Sequence, residues 1–145
     1  MLSKPQHGWT TFSLGHRCYS ISFLTNVPLD WLEKAIGGLD TLLPFEVSGY
    51  CEPGRVVCTV AFSQCHVFYE NEKHQKEESS YELVPVNMLD FCQSLYDDIS
   101  GSIDDWQSWS PSYAMSKEDL LCRLERLQKL IKVKAACFLY GGERR

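Results

Sequence analysis

The sequence contains no apolar run near the roughly 20 residues needed to span a bilayer, and its first ten residues are polar and include Pro5. Those absences predict a chain that neither spans a membrane nor carries an export signal, and so a cytoplasmic protein. No Walker loop, dinucleotide fingerprint, nucleophilic serine elbow or His-Glu-x-x-His pair occurs, which leaves no motif-level support for phosphate, cofactor or metallopeptidase chemistry. The seven cysteines show none of the close paired spacing of a structural zinc site. Their odd number, with several at apolar-pattern positions, predicts reduced and buried thiols instead of a disulfide framework. No cofactor and no metal are expected.

The most informative absence is of positive charge. Between residues 77 and 116 there is no Lys or Arg, while Glu77, Glu78, Glu82, Asp90, Asp97, Asp98, Asp104 and Asp105 give that stretch a net charge of −8. The 29 residues that follow carry eight basic and four acidic side chains. The whole chain is at −5 with a pI near 5.3, which excludes the basic patch that non-specific nucleic-acid or anionic-membrane binding requires.

What is present predicts one globular domain. With 145 residues, 44% of them hydrophobic, the chain is long enough to bury a core without staples. Residues 1–7 and 140–145 read as flexible ends. Period-two alternation over Trp9–Leu14 and Cys18–Leu24, joined by Gly15-His16-Arg17, predicts a β-hairpin. Pro28 suits a first helical turn, Leu29, Leu32 and Ile36 share a stripe, and Gly37-Gly38 predicts its end. Phe45–Cys51 and Arg55–Ser63 read as strands about a type II turn at Glu52-Pro53-Gly54-Arg55, the second of them central. A third strand, Cys65–Glu70, leads through a charged loop at 71–80 to a short edge strand, Tyr81–Val84.

Two helices close the chain. Asn87 is placed to cap the first, whose stripe runs through Met88, Phe91, Cys92, Leu95, Ile99, Ile103 and Trp106. Ser116 to Asp119 resembles a capping box for the second, striped by Leu120, Leu121, Leu124, Leu127 and Ile131 and ending in lysines, as the helix dipole prefers. The expectation is an α+β fold, a mostly antiparallel sheet of about five to six strands with about three helices packed on it.

Three constellations invite a functional reading. Cys51, Cys58 and Cys65-His66 recur every seven residues, but Cys58 and Cys65 would face opposite sides of one continuous strand unless the chain bends near Gln64. Buried small hydrophobes fit them better than a metal site. Adjacent Cys65 and His66 point to opposite faces and do not make a nucleophile–base pair. His7, His16 and His74 sit in surface contexts.

The third constellation is the acidic one. Asp90, Asp97 and Asp104, with Asp98 and Asp105 beside them, form a ridge at near two-turn spacing. That ridge reads as a face neutralised by helix 117–134 lying alongside, as a solvated face, or as a docking surface for a basic protein. Trp106, Trp109 and Tyr113 just beyond are either aromatic anchors of that face or part of the core, with Trp106 favouring the core.

On size, acidity, cytosolic character and this Asp/Trp helix, the chain resembles the small acidic α+β immunity proteins that protect bacteria from nuclease toxins. That resemblance implies a non-enzymatic inhibitor covering a basic toxin, with Asp97, Asp98, Asp104 and Asp105 at the contact and Trp106 and Trp109 as anchors. The alternatives are a structural or adaptor subunit of a larger assembly and an enzyme whose site follows no motif. The sequence leaves the oligomeric state open.

Overall fold

The computed structural model describes residues 1–71, 79–110 and 115–143, with the side chains of the last four excepted. The order is β1 (Trp9–Leu14), β2 (Arg17–Ser22), α1 (Val27–Thr41), β3 (Phe45–Tyr50), β4 (Arg55–Val60), β5 (Cys65–Glu70), β6 (Ser80–Val84), α2 (Met88–Ser100), α3 (Ile103–Gln107) and α4 (Lys117–Glu143). The fold is α+β and antiparallel throughout its described strands. The strands are divided, however, into a hairpin β1-β2 and a four-stranded sheet β3-β4-β5-β6.

The division follows from how Ile21 is used. Instead of extending the sheet, β2 lays Ile21 onto it above Gly49, where any Cβ would collide with the Ile21 side chain. Tyr19 stacks on Tyr69, ring centroids 5.4 Å apart, and its hydroxyl meets Ser80 Oγ at 3.1 Å. The hairpin therefore covers one end of the sheet's inner face, and α1 and α2 cover the other. Trp31 of α1 donates its Nε1–H to the Ser48 carbonyl at 2.9 Å, and Phe91 of α2 packs edge-on against Phe45. Helix α4 lies against both α1 and α2, with Leu120, Leu124, Leu127 and Ile131 buried, while Leu121 is exposed and not part of the stripe.

Several sequence expectations change here. Residues 1–7 are tied down: Leu2 is 5% exposed, it bridges Phe12 in antiparallel fashion, and the Ser3 N–H donates to the Thr11 carbonyl. Helix α1 runs through Gly37-Gly38 to Thr41, and it is Leu42, at φ 59°, that adopts the left-handed cap. Gly38 is there for clearance, since a Cβ would strike the Phe45 ring, whereas a Cβ at Gly37 meets nothing. The two neighbours should thus respond oppositely to alanine. Gly37→Ala is expected to stabilise by about 0.5–1 kcal/mol through helix propensity and lost unfolded-state entropy, and Gly38→Ala to destabilise by about 1–3 kcal/mol through overpacking. Urea midpoints of the two variants check this.

The β3–β4 turn is not type II. Its Glu52–Pro53 bond is cis, with positive φ at Glu52 and Gly54, and the Cys51 N–H donates to the Gly54 carbonyl at 2.8 Å. Strand β4 is central, as expected, but it ends at Val60 and not Ser63. Phe62 belongs to the following turn, where it stacks on Phe138. Asn87 does cap α2, its Oδ1 accepting from the Asp90 N–H at 2.8 Å. That helix stops at Ser100, and Gly101-Ser102 redirects the chain into the short α3. Three helices thus become four. The last helix keeps its cap, Ser116 Oγ accepting from the Asp119 N–H, and its backbone is helical to Glu143, well past the expected end near 134.

Candidate functional site

The acidic segment splits into carboxylates with cationic neighbours and carboxylates without. Asp98, at the end of α2, accepts the Leu2 N–H at 2.8 Å and faces the Met1 amino group at 3.3 Å. It holds the first strand-like residues against the helix and is only 24% exposed. Asp105 sits 3.8 Å from Lys4, and Asp104 lies 3.2 Å from Lys117 while remaining 81% exposed. Both contacts are surface pairs, worth at most about 1 kcal/mol. Asp97 is exposed, and its Oδ1 accepts from Gln93 Nε2 at 3.0 Å. Asp90 is exposed in the first turn of α2, where the helix dipole favours it.

Helix α4 lies beside α2 but does not neutralise the ridge along its length. Among the described residues Lys117 is its one contribution. Arg123 turns instead to Glu33 of α1, and Lys129 to Glu125 within α4. Glu77, Glu78 and Tyr113 lie outside the described residues.

Trp106 and Trp109 are 0% and 1% exposed. The redirection at Gly101-Ser102 sends both indoles inward, 5.3 Å apart. Trp106 Nε1–H donates to the Asp98 carbonyl at 3.2 Å, and Trp109 Nε1–H to the Thr25 carbonyl at 2.9 Å. Their burial corrects the expectation that they stand as anchors for a partner. They fix the backbone from which Asp97, Asp98, Asp104 and Asp105 project.

The cysteine row resolves into a core contact. The turn at residues 61–64 folds β5 back on β4 and puts Cys58 and Cys65 on the same inner face, where the two free thiols meet as hydrogen-bonding neighbours. Cys65 also donates to the Val86 carbonyl at 3.3 Å. Burial pushes the Cys92 thiol up to about 12 and that of Cys51 up to about 11, far from the thiolate state that nucleophiles and metal ligands need. No group of three or more His, Cys, Asp or Glu among the described residues is arranged to hold a metal. Cys18, Cys122 and Cys137 are exposed, so the expectation of buried thiols holds for Cys58, Cys65 and Cys92 and fails for those three.

His66 points away from Cys65, and its Nδ1 meets the Tyr81 hydroxyl at 2.7 Å. His16 is a surface residue as expected, yet its backbone N–H and ring both engage Glu82 of β6, the ring at 2.6 Å. These hydrogen bonds hold the Glu82 carboxyl below its ordinary 4.5. A depressed carboxylate stabilises the fold fully above the unfolded value, and the contribution is lost as pH falls through the folded one. Melting temperature should accordingly decline below about pH 4.5 as this hairpin-to-sheet contact protonates. Glu82→Gln should flatten that part of the decline in a pH series of thermal melts.

One further surface was not singled out by sequence. The outer face of the four-stranded sheet presents the cross-strand row Ser48-Val57-Phe68-Tyr81, flanked by Tyr50-Arg55-Glu70 on one side and Glu46-Thr59-His66-Leu83 on the other. Phe68, Tyr81 and Leu83 are 43%, 54% and 49% exposed, and no described element packs over them. Phe68 and Tyr81 contact one another, centroids 4.8 Å apart. The signal was available, because Val57 and Thr59 alternate with the buried Val56, Cys58 and Val60 of β4, but centrality within a sheet says nothing about whether a layer covers that face.

No helix among the described residues is long and apolar enough to cross a membrane. Comparison with protein-family models, with curated proteins and with solved structures finds no match.

Proposed function

We propose that this chain is a non-enzymatic protein-binding module of the immunity or inhibitor kind, which takes a basic protein partner along α2 and α3. The observation that carries the reading is the exposure of Asp90, Asp97 and Asp104 along one segment, with Lys117 the sole cation within reach of any of the three among the described residues. Asp105 stands at the margin of that surface, and Asp98 supports it from within. Asp90 and Asp97 lie two turns apart on α2 with no ion pair among the described residues, and Asp104 on α3 adds an exposed carboxylate that only Lys117 approaches. Such a surface steers a basic partner into register and penalises an acidic one. Acting on a nuclease-type toxin, the module would cover the toxin's active site or its substrate-binding surface.

Capture of partners from native lysate by the tagged full chain, at low and then high salt, tests the reading. A single basic partner released as salt rises is the expected result. A partner that is acidic or held equally at high salt counts against it.

A second reading, a structural or adaptor subunit, is favoured by the open outer face of the β3–β6 sheet. A contiguous aromatic and aliphatic patch of this kind is what docking surfaces expose.

A further inference from the structure

We infer that the outer face of the four-stranded sheet is the interface of a symmetric homodimer, a proposal that rests on the second reading above and not on the acidic segment. In the central row Ser48-Val57-Phe68-Tyr81, Phe68 and Tyr81 are exposed aromatics, and Val57 and Ser48 are half-buried beside them. On its two sides the charges are arranged unequally. One flanking row holds Tyr50, Arg55 and Glu70, and the other holds Glu46, Thr59, His66 and Leu83.

A twofold axis lying between two such sheets, along the central row and across the strands, sets each central residue against its own copy and exchanges the flanking rows. Tyr50 then faces Glu46 of the second copy, Glu70 faces His66, and Arg55 lies one strand from Glu46. Each pairing occurs twice by symmetry, the isologous pattern of a closed dimer. Within one copy Arg55 already approaches Glu70 at 3.6 Å, whereas Glu46 is exposed with no ion pair among the described residues. The second copy supplies the cation and the hydroxyl that Glu46 lacks. A twofold along the strands instead would set Arg55 against Glu70, which already pair within one copy, but Glu46 against Leu83, leaving that carboxylate without a partner in the interface.

Size sets the strength. Four strands about 4.8 Å apart and six residues long present roughly 400 Å² of plane per copy. The pair thus buries on the order of 800–1,000 Å² once side chains are included, below the size of stable specific interfaces and within the weak, transient class. The dimer is therefore weak and concentration-dependent.

Sedimentation velocity of the full chain from about 1 to about 500 µM is the test, with thermal melts as a folding control. Phe68→Glu, at an exposed position, should weaken self-association at least tenfold (about 1.4 kcal/mol) and leave the melt unchanged. Arg55→Glu and Glu46→Arg should each weaken it, and the two together should restore it. A monomer across the whole range would overturn the proposal, as would a dimer indifferent to Phe68→Glu or a double variant that fails to recover. None of these outcomes bears on Asp90, Asp97 or Asp104, so the acidic-face reading stands or falls separately.

Discussion

Trp109→Ala is expected to destabilise the fold by about 3–5 kcal/mol, a large part of the whole stability of a domain this size. The indole is 1% exposed, leans on Trp106 and donates to the Thr25 carbonyl, 84 residues earlier in the chain. Alanine leaves a cavity where the segment after α3 meets the loop between β2 and α1, and it strands a carbonyl that had a partner. Trp109→Phe refills part of the volume without the donor and should recover roughly half of the loss. Denaturant unfolding of the three proteins, read by circular dichroism, measures this directly. The result bears on function as well. A Trp109 that anchored a partner would be exposed, and its removal would weaken binding with the fold intact. In this structure the fold suffers first.

The second large effect is on binding. Reversing Asp90, Asp97 and Asp104 to Lys is expected to weaken partner binding by roughly 100-fold or more, since like charges brought together across an interface cost several kcal/mol. Folding should change much less. Asp97 and Asp104 are exposed, and the Lys117 contact that Asp104 loses is a surface pair. Asp90 is the exception to watch, because a cation in the first turn of α2 opposes the helix dipole by about 0.3–1 kcal/mol. Asp98 does not belong in that set. It receives the Leu2 N–H and faces the Met1 amino group, so reversing it would loosen the first residues and confuse a folding defect with a binding one.

Much of the fold was legible because its signals are local. The alternation of Trp9–Leu14, the cap at Asn87 and the stripe Leu120-Leu124-Leu127-Ile131 all report on neighbours within two turns or two strands. What was misread depends on residues far away in sequence. Gly38 looks like a helix stop until Phe45 is seen filling its missing side chain. The hairpin looks like part of one sheet until Ile21 is seen resting on Gly49. The stripe from Met88 to Trp106 keeps its period through Gly101-Ser102 even though the helix does not, because both halves face one core.

The candidate site was legible in its charges but not in its neighbours. Asp97 and Asp98 are adjacent and chemically identical, yet one is exposed and the other is closed over by the chain's first two residues. No local pattern distinguishes them. The same holds for the partners of Asp105 and Asp104, since Lys4 is about a hundred residues from the first and Lys117 belongs to another helix, α4.

The measurement that bears most directly on the acidic-face reading is a titration of the captured partner with three forms of the full chain: native, Asp90→Lys/Asp97→Lys/Asp104→Lys, and a control with Asp40, Glu52 and Glu125 reversed to Lys. Both variants change the net charge by the same amount, and the control positions are exposed and lie elsewhere on the fold. Docking through the α2–α3 carboxylates predicts a loss of roughly 100-fold for the first and less than about tenfold for the second, with salt weakening native binding. Equal losses, or none for the α2–α3 variant, would contradict it.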